Sequence, residues 1–221
     1  MTPRVGGLLA IAVVAAVVDW VAVGVEGPRS RAMERVAKPA ALAALLAAAI
    51  AWPPGTGDDV AVRPLLVAAL AASLAGDVLL LAPGRFVGGL VAFLVAHLAY
   101  LVAFARLPGS VPWLVAGVVV AAVVVATVGR VLAAAARRVG LGVPVAVYLV
   151  AICAMAIAAT RTGLPAAILG AWLFVASDAM LAWGRFRSPA SGSPKGAARL
   201  RVAVMVAYHV GQVLLLVALV R

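Results

Sequence analysis

Apolar residues run along this chain in long unbroken blocks, and polar residues fall mostly between them. Blocks rich in Ala, Val and Leu, bordered by Pro, Gly or charge, cover about residues 5–25, 39–53, 64–82, 86–106, 111–129, 142–160, 164–184 and 201–220. A helix needs about 20 apolar residues to cross a bilayer core. The pattern therefore predicts an all-α polytopic membrane protein of about eight transmembrane helices, with the block at 39–53 the shortest. Valine is abundant, but the runs lack the period-2 alternation of a membrane barrel. Helices also satisfy every backbone group within lipid. The first block is too long for a signal-peptide core. It runs into a charged stretch, Glu26–Lys38, read as a loop, and no small-residue cleavage site follows it, so it is expected to be a retained span.

Composition narrows the picture. Of 221 residues, 67% are hydrophobic and 11% charged, less than half the charge of an ordinary soluble domain, and the mean hydropathy is +1.20. One transmembrane domain over residues 1–221 is expected. The net charge of +11 does not indicate nucleic acid, because the basic residues sit between apolar runs and not on a soluble face with aromatics. There they act as topology signals and contacts for membrane lipid head groups. Loops after the odd-numbered spans hold 13 of the 18 Lys and Arg residues and the opposite side holds 5. That asymmetry predicts eight spans with both termini outside the cytoplasm, and the abundance of Ala, Val, Arg and Gly suggests a GC-rich bacterial source and hence a bacterial inner (plasma) membrane. Cys153 is the sole cysteine, so no disulfide forms within the chain. Four of the five Trp residues, Trp20, Trp52, Trp113 and Trp183, fall near span ends, where an interfacial belt is expected. The stretch Ser188–Lys195 reads as a flexible connector, and Asp58 and Asp59 as a solvated turn.

Two segments resemble each other. Residues 75–86 read A-G-D-V-L-L-L-A-P-G-R-F and residues 176–186 read A-S-D-A-M-L-A-W-G-R-F, and a histidine follows in the next span each time, His97 and His209. Four spans separate the equivalent helices, so both copies run the same way. This predicts a parallel 4 + 4 repeat with halves 1–107 and 108–221; chance likeness between Ala/Leu-rich helices is the alternative.

The polar residues inside the spans carry the candidate chemistry. A charge at membrane depth costs at least ~2.5 kcal/mol, so it normally faces the bundle interior and has a partner or a task. On the predicted topology Asp77 and Asp178 lie in the cytoplasmic half, and Asp19, Lys38, Tyr148, Tyr208 and His209 enter at similar depth. His97 and Tyr100 lie slightly deeper. His209 shares a helix face with Gln212, and Ser73 shares one with Asp77; Ser177 adjoins Asp178. Two carboxylates in one low-dielectric cavity resist double ionisation, so one keeps a proton and can serve as a general acid. The competing explanation is a structural ion pair or hydrogen-bond knot with Lys38 or an arginine. Each histidine alone fits an interhelical hydrogen bond equally well. No G-x-S-x-G elbow is present, so serine nucleophilic catalysis is not indicated. Two His and two Asp would suffice for a metal site, but the close histidine spacing that usually announces one is lacking. A transporter or a non-catalytic lipid-binding protein fits the same central carboxylates.

Several motifs together resemble the YhhN family of membrane proteins, which includes the lysoplasmalogenases. They are Lys38-Pro39, G-D-V-L-L-L at 76–81, G-G-L-V-A-F-L-V-A-H-L-A-Y at 88–100, G-A-W-L-F-V-A-S-D-A-M-L-A at 170–182 and Y-H-V-G-Q-V-L-L at 208–215. The resemblance implies an eight-span ether-bond hydrolase acting on a lysophospholipid. It would cleave the vinyl ether of a lysoplasmalogen to a fatty aldehyde and a glycerophosphoethanolamine or glycerophosphocholine. Protonation of such an ether gives an oxocarbenium ion that water captures, the kind of transition state that paired carboxylates serve in glycoside cleavage. Asp77 and Asp178 would supply the acid and the counter-charge in either order, with His209 and His97 assisting. Lys38 and nearby arginines would hold the lipid phosphate, and Asp19, Tyr100, Tyr148, Ser177, Tyr208 and Gln212 would line the substrate site. The chemistry calls for no metal and no cofactor.

Overall fold

The computed structural model describes residues 2–25, 27–53, 59–187 and 193–220, with only the backbone of Asp59 and Val60. The described residues form eight helical rods and no strand. They are α1 (Pro3–Gly24), α2 (Pro28–Ala51), α3 (Asp59–Leu81), α4 (Phe86–Ala105), α5 (Val111–Arg137), α6 (Gly142–Arg161), α7 (Pro165–Phe186) and α8 (Pro194–Leu219). All but α2 are long and apolar enough to cross a membrane, and the chain is an integral membrane protein. Within α5 the turn Val125–Gly129 widens to a π-helix before the rod resumes, a local bulge often found beside functional sites.

Several helices reach beyond the apolar blocks. The stretch Glu26–Lys38, expected as a loop, is helical from Pro28 onward. Proline at the first helical position starts this helix, and the Arg, Ala, Met and Glu residues that follow are good helix formers. Likewise α5 runs on to Arg137. In α8 the Ser193 hydroxyl accepts from the Gly196 amide and caps the helix, so Lys195, expected in a flexible connector, lies in its first turn. Residues 188–192 and Asp58 lie outside the described residues, while Asp59 opens α3.

Packing runs in a ring, α1 on α2, then α3, α4, α6, α7 and α8, with α8 returning to α1. Helix α5 rests outside the ring against α6 and, by its last turns, α7. Helix α8 is the most buried, touching α1, α2, α3 and α7. The tightest approaches are at glycines. A Cβ on Gly170 in α7 would stand 3.0 Å from the Gly211 carbonyl and the Leu215 amide of α8, and one on Gly76 in α3 would stand 2.6 Å from the Phe93 ring of α4. Small residues let helix backbones meet where no hydrophobic drive exists between helices in lipid. Between α3 and α4 the chain reverses through Gly84 at φ +73°, a left-handed conformation that suits glycine.

Arginines close three helix ends. Arg63 donates to the Ala49 and Ile50 carbonyls at the end of α2, and Arg201 Nε donates to the Val23 carbonyl of α1. The Arg161 guanidinium meets the carbonyls of Phe104, Ala105 and Leu107 after α4, at 3.3, 3.1 and 2.7 Å. Unsatisfied terminal carbonyls carry negative partial charge and favour such cations.

Candidate active site

The buried polar residues expected from the sequence come together in connected groups around α8. The first is an ion pair. Asp77, on α3, is fully buried, with Oδ1 3.2 Å from Lys38 Nζ of α2, and Tyr208 Oη of α8 donates to its Oδ2 at 2.8 Å. A lone charge at this depth is expensive, and Lys38 neutralises it. Asp19 of α1 is also fully buried, and neither of its oxygens has a hydrogen-bond partner.

The second group surrounds Asp178 on α7. Tyr148 Oη of α6 donates to its Oδ2, and His97 Nε2 of α4 stands 3.8 Å from the same oxygen. Asp178 differs from Asp77 in one decisive respect: its side chain is 16% exposed against 0%, and the exposed part faces a cavity. That cavity lies among α3 to α7. Its walls are apolar, including Leu80, Leu90, Phe93, Val128, Leu132, Ile152 and Val175, and among them only Asp178 and Tyr148 present side-chain polar atoms. The π turn of α5 supplies Val128 and Gly129 to the wall.

Aromatic rings separate the two carboxylates. Phe174 stacks on Tyr208 with centroids 5.4 Å apart, and lies 4.8 Å from the His97 ring; Phe93 sits edge-on to both Phe174 and Tyr208. The arrangement is one carboxylate locked in a neutralised pair and one set in an apolar wall.

A third group is fully satisfied. Tyr100 Oη donates to Gln212 Oε1 at 2.6 Å, and Gln212 Nε2 donates to Ser73 Oγ at 3.0 Å. This chain ties α4, α8 and α3 next to the ion pair. Ser177 Oγ donates to the Val204 carbonyl at 3.0 Å and pins α7 to α8. His209 accepts at Nδ1 from Trp20 Nε1 of α1 at 3.0 Å, while its buried Nε2 has no hydrogen-bond partner. Trp20 is thus a brace for His209, where position alone indicated the interfacial belt. Among the described residues, no three His, Cys, Asp or Glu side chains gather as a metal would require.

Sequence reasoning gave little sign of Trp20 or of the aromatic partition. A tryptophan at a span end and phenylalanines within an apolar run are the ordinary content of membrane helices. Only the interhelical rotation shows which of them face the carboxylates.

Residues 33–219 match the YhhN family. The chain belongs to this family. The YhhN match takes in Lys38, Asp77, His97, Tyr148, Asp178 and His209 and begins after Asp19 and Trp20. Two curated relatives, from Mycobacterium bovis and Mycobacterium tuberculosis, are each 40% identical to it over 166 residues and are named lysoplasmalogenase. These alignments cover 70% of this chain and 61% of each relative's length. No solved structure matches.

Proposed function

We propose that this YhhN protein is a membrane-embedded hydrolase that cleaves the vinyl ether bond of lysoplasmalogens, releasing a fatty aldehyde and a glycerophosphoethanolamine or glycerophosphocholine. The observation that carries the reading is Asp178, a carboxyl set in the wall of an apolar cavity and held by Tyr148 beside His97. The name shared by the mycobacterial relatives supports it.

The chemistry assigns different work to the two aspartates. Asp178 faces the cavity and, among the described residues, pairs with no lysine or arginine, so it suits the role of general acid. It donates its proton to the outer carbon of the vinyl ether, and the electron pair of the double bond forms the new C–H bond. The adjacent carbon becomes an oxocarbenium ion, which the Asp178 carboxylate now faces at close range in a low-dielectric site. Water adds to that carbon and returns a proton to Asp178. The hemiacetal then collapses to aldehyde and alcohol. In sum, one ether and one water give one aldehyde and one glycerol hydroxyl. Tyr148 orients the carboxyl through its hydrogen bond, and His97 is placed to shuttle the proton of the attacking water. Asp77, neutralised by Lys38, holds the local charge steady and anchors Tyr208. In this role Lys38 is a buried partner for Asp77 and not a ligand for the lipid phosphate.

The orientation belongs to the same reading. With the basic ends of α1/α2, α3/α4, α5/α6 and α7/α8 inside, both termini lie outside the cytoplasm, in the plasma membrane of a bacterium. The carboxylates then sit in its cytoplasmic half, where a lysolipid in the inner leaflet reaches them.

The test is product analysis by mass spectrometry of purified protein given lysoplasmalogen in water enriched in oxygen-18. The expected result is fatty aldehyde together with a glycerophospho product carrying no label, since water attacks the alkenyl carbon and not the glycerol. A labelled glycerophospho product, or intact lipid after prolonged incubation, would contradict the reading.

A further inference from the structure

The repeated Gly-Arg-Phe motif has no role in the chemistry above, yet the fold brings its two copies together. Gly84-Arg85-Phe86 opens α4 and Gly184-Arg185-Phe186 closes α7. The two phenylalanine rings meet edge to face with centroids 6.0 Å apart, and Arg185 Cζ lies 5.3 Å from the centre of the Phe86 ring. Both rings also line the cavity that holds Asp178. Arg85 and Arg185 are exposed beside them. The Arg185 guanidinium thus stands over Phe86 in the wall of the cavity, and Arg85 is the residue just before Phe86 in the chain.

We infer that Arg85 and Arg185 form the head-group site of this cavity, binding the phosphate of a lysolipid whose chain passes between Phe86 and Phe186 to reach Asp178. The inference rests on the hydrolase reading and names the group that positions its substrate.

Register supports it. Asp178 and Arg185 are separated by seven residues of one helix, about 10 Å along its axis. In a lysoplasmalogen, roughly seven bonds join the phosphorus to the carbon that takes the proton, on the order of 9 Å when extended at ordinary bond lengths. A phosphate held at the arginines therefore sets the vinyl ether at the depth of Asp178. Arginine suits the task because its planar fork meets two phosphate oxygens at once. Lys38, the cation that reaches a carboxylate, is already paired with Asp77. The ring stacking of Arg185 on Phe86 orients the guanidinium while leaving its edge free for an anion.

The experiment uses two pairs of ligands, each with and without phosphate. Saturated 1-O-alkyl lysophosphocholine and 1-O-alkylglycerol report binding by calorimetric titration without any turnover. Lysoplasmalogen and 1-O-alkenylglycerol report KM and kcat through aldehyde release. The variants are Arg85→Gln/Arg185→Gln, Arg85→Lys/Arg185→Lys and, as control, Arg106→Gln, an exposed basic residue just after α4. In the Gln pair, Kd and KM should rise about tenfold or more for the phosphate-bearing ligands. Values for the phosphate-free ligands and kcat should stay within about twofold, the Lys pair should recover part of the loss, and Arg106→Gln should match wild type. Unchanged affinity for alkyl lysophosphocholine in the Gln pair, or an equal loss for alkylglycerol, would overturn the assignment. Lack of aldehyde from wild type, with the phosphate-dependent binding difference intact, would count against the hydrolase reading and leave the head-group site standing.

Discussion

At the residue scale, the two aspartates look interchangeable in the sequence, each following a small residue and leading to Gly-Arg-Phe. The fold makes them different. Asp77 has its charge balanced by Lys38 and its second oxygen occupied by Tyr208, whereas Asp178 has Tyr148 at one oxygen and a cavity beside it. Removing one partner of a buried ion pair costs about 3–5 kcal/mol, since the remaining charge is stranded. Lys38→Met should therefore lower thermal stability in detergent steeply, and Lys38→Met/Asp77→Leu should recover most of it. Equal melting temperatures for Lys38→Met and wild type would show that the pair contributes nothing. The sequence made most of the costly residues legible, because Asp19, Asp77, His97, Asp178 and His209 each interrupt an apolar run, and an ion pair of an aspartate with Lys38 stood beside catalysis as an explanation. Which aspartate takes the lysine was not legible. Helix α2 begins at Pro28, so Lys38 lies nearly three turns along a helix and its amine reaches Asp77. Which residue faces which is a matter of helix rotation, fixed by side chains such as Phe93 and Phe174 that carry no polar signal.

At the scale of the element, hydropathy located seven helices to within a few residues at most borders and found only the inner part of α2. The reason is physical: apolar patterning reports the stretch in contact with lipid or core, while helix ends are set by capping and propensity. Ser193 at the start of α8 and Arg63, Arg161 and Arg201 at helix ends are examples. Close helix approach is likewise faint in a sequence holding 21 glycines. Gly170 and Gly211 bring the backbones of α7 and α8 together, about two turns before Ser177 and Asp178 on α7. A side chain at Gly170 meets backbone and not a flexible tip, so overpacking of about 1–3 kcal/mol is expected. Gly170→Leu should lower the melting temperature by several degrees and disturb Asp178. Gly7→Leu, at a position with nothing within 4 Å of an added Cβ, should leave both alone. Equal effects of the two substitutions would show that the close approach is not required.

For the whole molecule, the ring of helices gathers the polar residues of six spans around α8 and leaves valine-rich faces to lipid. On the orientation proposed from the charge asymmetry, reporters fused at the C-terminus should read as non-cytoplasmic, and reporters inserted after residue 187 as cytoplasmic, with the reverse pattern refuting the proposal. The two halves each contribute an aspartate and a Gly-Arg-Phe motif, and a parallel repeat is our account of that correspondence. It makes the site bipartite, with His97 from one half beside Asp178 from the other. The division of labour inside that site is best tested by aldehyde release from lysoplasmalogen by purified wild type and Asp178→Asn in lipid nanodiscs. The expected outcome is a loss of about 100-fold or more in rate, with the melting temperature and the affinity for alkyl lysophosphocholine unchanged. An Asp178→Asn protein that releases aldehyde at the wild-type rate would contradict the assignment of Asp178 as the proton donor.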